Sequence, residues 1–300
     1  MKNLTYNSKV KDSTRTSKSV ETVEEKTMDT KNSIYFVGGE KGGVGKSFFS
    51  RCMLDYFIHR GWSDSFTLIE ADPTITDVSS IYKENFDNTI FSDNKFTHDD
   101  PNLILKMAQE KTMVVNLPSN VCIQFDAWVE RSMLLSDEIR PYFDQVVYFF
   151  VTDGCFSSID RFIKQIEHYG NKRLPHCLVL NPGRLSCGNN FSYINDEYPA
   201  LLDVLKKHKI PVIQIPELSA RLQFKCDRDA VSYRELAQKT HYSEKGPIIQ
   251  FLKELDLVFD SMFSNSIVKP TGLPKIIKKQ MKNYKIGKSP LPTKAQLFAS

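Results

Sequence analysis

Ten residues near the start of the chain concentrate its chemical potential: Gly38-Gly39-Glu40-Lys41-Gly42-Gly43-Val44-Gly45-Lys46-Ser47. Glycines at this density let successive backbone N–H groups turn into one concavity, and a helix beginning at its far end adds the positive end of its dipole. That is a site for an anion. At this spacing Lys46 reaches the β and γ phosphates of a nucleoside triphosphate, and the Ser47 hydroxyl ligates Mg²⁺ beside them. Gly42, Gly43, Val44, Gly45, Lys46, Ser47 and Phe48 are the expected contacts to the nucleotide.

Such a loop works only when a strand ends just before it and a helix starts just after it. The apolar run Ile34 to Val37 and the amphipathic stretch Ser47 to His59 supply both. Further strands are expected at Phe66 to Ile69, Met113 to Val115, Val146 to Val151, Cys177 to Leu180 and Val212 to Ile215. Helical patterns lie at Ile159 to Tyr169, Ala200 to His208 and Ile248 to Phe263. The strand runs are almost entirely apolar, as strands covered by helices on both faces must be. The expected fold is α/β, a doubly wound, mostly parallel sheet in one domain. The polar segment Asn85 to Pro101 reads as a long surface loop, and no internal repeat is visible.

With 300 residues, 41% of them hydrophobic, the chain can bury a sizeable core. No apolar run approaches the roughly 18 residues of a membrane span. The N-terminus lacks an apolar signal region, so a cytoplasmic location is expected. Six cysteines (52, 122, 155, 177, 187 and 226) form no C-x-x-C pair and have no histidine at metal-ligand spacing, which predicts reduced structural thiols. The net charge is only +4, yet positions 269–300 hold eight lysines and no acidic residue. A mildly acidic body therefore carries a basic tail, suited to a polyanion or an acidic partner unless it is simply solvated. Composition divides the chain into a disordered segment (1–32), the α/β domain (33–264) and the basic tail (265–300).

The string Lys41-Gly42-Gly43-Val44-Gly45-Lys46-Ser47 resembles the deviant Walker A loop of the family that includes the ParA and MinD ATPases, a SIMIBI-like branch of the P-loop NTPases. The resemblance implies ATP and Mg²⁺ as cofactors and an ATP-dependent homodimer, in which Lys41 crosses to the partner's nucleotide. Lys41 and Lys46 would then act on the phosphates, with Asp72 of Glu70-Ala71-Asp72-Pro73 as the carboxylate that positions water or the Mg²⁺ shell. Met113-Val114-Val115-Asn116-Leu117-Pro118 resembles the Walker B strand, with Asn116 where the family has aspartate. An amide can still meet a Mg²⁺-bound water but brings no negative charge, which implies weak Mg²⁺ retention or slow hydrolysis. Ser47, Asp72 and Asn116 are thus the implied metal-facing residues. Asn181 of Asn181-Pro182 and Pro216 of Gln214-Ile215-Pro216 match positions that meet the base. Glu40 departs from the usual glycine and places an acid close to the phosphates.

The strings Val151-Thr152-Asp153-Gly154 and Asn181-Pro182, with the Asp229 to Glu235 region, are most similar to the TraL and MobD proteins of plasmid conjugation and mobilisation. This implies a switch role in DNA transfer, with a relaxase or another transfer protein as partner. Plasmid partition, with DNA held through the basic tail, stays open, as does a nucleotide-binding scaffold that does not hydrolyse. A metabolic ligase is disfavoured by the lack of an appended glutaminase region, and a GTPase by the lack of an N/T-K-x-D motif. In Leu273 to Ile286 apolar and lysine residues alternate at helical spacing, but four prolines confine the apolar face. This favours a partner or DNA contact over lipid.

Overall fold

The computed structural model describes residues 32–72, 76–83, 85–170, 174–184 and 191–263. The N-terminal segment, Pro73, Cys187 and the basic tail with its amphipathic stretch lie outside the described residues. Asn32, placed by composition in the N-terminal segment, already joins the fold: its carbonyl accepts from the Asp144 N–H at 2.9 Å.

Seven strands form one sheet, in the order β3 (Phe86–Asn88), β2 (Phe66–Glu70), β4 (Thr112–Asn116), β1 (Ile34–Gly38), β5 (Val146–Thr152), β6 (His176–Leu180) and β7 (Val212–Gln214). Every pairing is parallel, so the sheet is wholly and not mostly parallel. β3 corrects the reading of residues 85–101 as loop throughout. It is a three-residue edge strand of partly exposed polar character, too short for an alternating pattern to show.

Side chains of a strand point alternately to opposite faces, and the core divides accordingly. Tyr35 and Val37 of β1, with Phe149 and Val151 of β5, pack toward α1 (Lys46–His59) and, among the helices that follow β7, α8 (Tyr233–Lys239) and α9 (Gly246–Phe263). Ile34, Phe36, Tyr148 and Phe150 face the other layer, which holds α2 (Asn102–Met107), α3 (Cys122–Arg131), α4 (Phe156–Tyr169), α5 (Ile194–Glu197) and α6 (Pro199–His208). α7 (Ala220–Asp229) joins the first layer through Leu222 and Cys226. Phe36 is fully buried, with the rings of Phe125 and Trp128 centred 4.9 and 6.0 Å away. Truncating it to alanine costs about 3–5 kcal/mol on the general scale for buried aromatics.

Helix α1 is buried on nearly every side, from Phe49 to Phe57, and so behaves as a core element and not a surface helix. Two charged residues of that buried stretch, Arg51 and Asp55, find ionic partners on the helices beyond β7. Arg51 pairs with Asp227 and stacks on Tyr233, while Asp55 accepts from Arg234. The order β2-β4-β1-β5 means that the chain leaves β1 in one direction and later returns to its other side. Ligands of open α/β sheets bind at such a reversal, beyond the strands' C-terminal ends. The glycine loop leaves β1 at that point.

Candidate functional site

The loop is formed by close approach. A Cβ on Gly38 would lie 1.9 Å from the Tyr148 hydroxyl, and one on Gly39 would lie 2.6 Å from the Val151 carbonyl oxygen. Gly43 and Gly45 have φ of +77° and +101°, a region that side chains disfavour. Around Gly42 and Gly43 there is open space: the nearest atom to a Cβ on Gly42 is 3.8 Å away, and a Cβ on Gly43 meets nothing within 4 Å. The concavity is therefore accessible, and α1 opens at Lys46 with no side-chain cap over its first N–H groups. Unpaired helix N-terminal donors facing a glycine loop suit an anion.

Lys46 lies within this concavity. Its Nζ donates to the carbonyls of Gly39 at 3.1 Å and Lys41 at 3.5 Å, and to Ser119 Oγ at 2.7 Å. Burial pushes its pKa down to about 8, against the opposing pull of Glu40 and Asp72. This half-buried ammonium, hydrogen-bonded to two carbonyls and a hydroxyl, is placed to meet a ligand's negative charge. Ser119 follows β4 and was not singled out by the sequence; nothing in its immediate string distinguishes it from a turn serine.

The second lysine points elsewhere. Lys41 Nζ is 2.6 Å from Asp153 Oδ2 and 3.0 Å from Cys155 Sγ. Hydrogen bonding to Asp153 and Cys155 raises the lysine's pKa, while burial of Asp153 is outweighed by Lys41, so that carboxyl is held below its usual range. Glu40 is buried and turned toward α4, with Arg161 3.8 Å away. Burial and the nearby Glu40 push the Cys122 thiol up to about 11. The acid that replaces the usual glycine thus has its own cationic neighbour outside the loop.

Asn116 and Glu70 are the last residues of β4 and β2 and are paired in register. Period two sends both toward α1, since Val114 and Leu68 belong to that layer. There Asn116 Oδ1 accepts from Ser50 Oγ at 3.1 Å, while Nδ2 donates to Glu70 Oε2 at 3.1 Å and to Ser47 Oγ at 3.4 Å. Glu70 Oε1 accepts from the N–H groups of Val78 and Ser79 at 3.1 and 3.0 Å. Burial raises the Glu70 pKa, partly offset by those donors. Asp72 lies two residues on, half-buried and close enough to Lys46 to act on its charge.

On the other side, Asn181 donates from Nδ2 to the Val44 carbonyl at 2.9 Å, and a Cβ on Gly45 would fall 2.1 Å from that nitrogen. Asn181 is therefore a brace under the loop. Pro216 is buried just after β7, two residues before Leu218, whose carbonyl accepts from Gln223 of α7. The structure thus gathers Lys46, Ser47, Asn116 and Asn181 around one loop, with Glu70 and Ser119 as partners.

Among the described residues no cluster of three or more His, Cys, Asp or Glu side chains can hold a metal by itself. A hydroxyl with one nearby carboxylate fits Mg²⁺, which takes much of its coordination from phosphates and water. The five cysteines described are free thiols. No described helix is long and apolar enough to cross a membrane.

No family model matches the chain. Protein MobD of Acidithiobacillus ferrooxidans is 43% identical over 60 residues, which are 20% of this chain and about a quarter, 26%, of that protein. Among solved structures, a nucleotide-binding protein in complex with ADP from Archaeoglobus fulgidus gives a TM-score of 0.40 at 13% identity, over 66% of this chain and 86% of that one. The MinC:MinD cell division complex of Aquifex aeolicus gives 0.43 at 15% identity, over 75% and 95%.

Proposed function

We propose that the chain is an ATP-binding switch protein with slow hydrolysis, which dimerises when ATP is bound and acts in plasmid mobilisation or conjugal DNA transfer. The observation that carries the nucleotide reading is Lys46, a half-buried ammonium inside an open glycine loop at the head of α1. A triphosphate would offer the ammonium charged oxygens in place of the Gly39 and Lys41 carbonyls and the Ser119 hydroxyl, a stronger class of hydrogen bond. Ser47 stands one residue on, where a P-loop hydroxyl meets Mg²⁺. When bound, Mg²⁺ would offset the negative charge of the phosphates. The short match to MobD supports the mobilisation role, with a relaxase or another transfer protein as partner.

In this reading Lys46 and the loop N–H groups hold the phosphates, Asn181 keeps the loop in shape, and Lys41 must leave Asp153 to reach any phosphate. Asn116 supports the neighbouring reading of a nucleotide-binding scaffold that does not turn over, since its side chain carries no charge. Calorimetry with ATP and ADP, with and without Mg²⁺, tests binding. Size-exclusion chromatography of wild type and Lys46→Ala tests the switch. We expect heat with wild type only and a larger species only with ATP and Mg²⁺. No heat with any adenine nucleotide would sink the nucleotide reading, and a monomer under every condition would sink the switch.

A further inference from the structure

We propose that the Ser119 hydroxyl meets the terminal phosphate of a bound nucleotide and makes the site prefer a triphosphate to a diphosphate. The inference rests on the nucleotide reading above and deepens it, by naming the residue that tells the two ligands apart. It starts from geometry. Ser119 Oγ lies 2.7 Å from Lys46 Nζ. It is also the one atom within 4 Å of a Cβ built on Gly42, at 3.8 Å, so the hydroxyl faces the open part of the glycine loop.

A serine hydroxyl both accepts and donates. Here its oxygen accepts from the ammonium, and among the described residues its own hydrogen has no acceptor. A phosphate oxygen that takes Nζ from the hydroxyl comes to lie beside both donors, because the two are only 2.7 Å apart. Ammonium and hydroxyl then converge on one charged oxygen, and hydrogen bonds to ionised groups are the strong ones. Which phosphate this is follows from the division of labour in a glycine loop: its N–H groups cradle the inner phosphates, and the lysine reaches the outer ones. Ser119 meets the lysine at its far end, so the phosphate within its reach is the outermost of three. A diphosphate ends one group short.

The segment that carries the hydroxyl is tied down on both sides. It leaves β4 at Asn116 and enters α3 at Cys122, with Ser119 midway between. The next residue, Asn120, has a left-handed φ of +57°, and its Oδ1 accepts from Arg161 Nη1 at 3.3 Å. Arg161 in turn lies 3.8 Å from Glu40 of the glycine loop. Loop and segment are thus joined twice, through Lys46 and through Arg161, and Ser119 is a donor set in place before a ligand arrives. Such preorganisation lowers the ordering cost of the bond it makes.

The test is calorimetry on the full chain in Mg²⁺, with ADP and with the non-hydrolysable β,γ-imido analogue of ATP, for wild type, Ser119→Ala and Ser119→Thr. We expect Ser119→Ala to lose about tenfold or more in affinity for the triphosphate analogue, the size of one hydrogen bond to a charged group, while holding ADP within about twofold. Ser119→Thr keeps a hydroxyl and keeps the wild-type ratio of the two affinities. A merely structural role would weaken both ligands together, so equal losses overturn the proposal. So does an alanine variant with unchanged affinities, a threonine variant as poor as the alanine one, or an alanine variant that binds the analogue more tightly, which would make the hydroxyl a competitor of the phosphate. Each of these can occur while wild type binds ADP normally, so the nucleotide reading survives them. Wild type that binds no nucleotide under any condition overturns both.

Discussion

Asn181 and Gly45 occupy each other's space: the Asn181 amide nitrogen lies 2.1 Å from where a Cβ on Gly45 would be, and it donates to the carbonyl of Val44 at 2.9 Å. The two residues are 136 positions apart in the chain, and the loop's shape depends on their fit.

Gly45→Ala therefore carries two penalties, a collision and a left-handed φ of +101°. Together they should destabilise the protein by roughly 2–4 kcal/mol in urea unfolding. Adding Asn181→Ala removes the collision but not the backbone strain. The double variant should thus be more stable than the sum of the single effects predicts. Strict additivity would mean that the two residues do not meet.

Lys46 makes nucleotide affinity depend on pH. In the free protein its pKa is pushed down to about 8 by burial, while in an unfolded chain a lysine titrates near 10.4. Phosphate favours the charged form, so binding takes up a proton at and above pH 8. Affinity should be flat at pH 7 and fall by up to about tenfold per unit above 8. Heats measured in buffers of different ionisation enthalpy at pH 8.5 would report the proton directly. The free protein should show the opposite trend: charging Lys46 opposes folding fully below 8, and this penalty fades between about 8 and 10.5.

His176 gives an acid limit. It is buried, with Nδ1 2.9 Å from the Leu174 carbonyl oxygen and Nε2 3.1 Å from Gln165 Nε2. These contacts fit the neutral ring, and burial lowers the pKa to about 4. The unfolded chain binds its proton near 6.5, so the stability due to the neutral ring is complete above 6.5 and is lost as pH falls from 6.5 toward 4. The loss is about 3 kcal/mol, on the scale of 1.4 kcal/mol per unit. A His176→Gln protein should lack this component when unfolding free energies are compared at pH 7 and 4.5.

Arg234 ties α8 to α1 and α9. Its Nε lies 3.1 Å from Asp55 Oδ2, and its other end meets Asp256. Arg234→Met leaves the fully buried Asp55 without its cation and should cost about 3–5 kcal/mol. Asp55→Asn combined with Arg234→Met should recover part of that loss, measured as the unfolding midpoint.

Much of this architecture was legible from residue order, because strands covered on both faces read as unbroken apolar runs. Six of the seven strands fall where those runs lie, most extended by a residue or so at an end. The loop's location between β1 and α1 was equally plain. Less visible were elements without an apolar signature, such as β3. α8 was readable in principle from its capping box, in which Ser232 and Glu235 bond each other's backbone N–H. At the site, Asp72 stood out because it ends a recognisable string. Glu70 was legible only as the acid at the other carboxylate position of that string, and its contact with Asn116, 46 positions further on, was hidden. The Lys41–Asp153 pair was hidden for the same reason: it joins two loops that only the folded sheet brings together.

The sheet also tapers. β3 and β7, its outermost strands, have three residues each, against five to seven for the inner ones. A foreign strand can register with only a few free donors and acceptors there, and this discourages growth by stacking. A protein so rich in buried apolar strands would otherwise be a ready template for fibrils; here brevity limits the hazard at both ends.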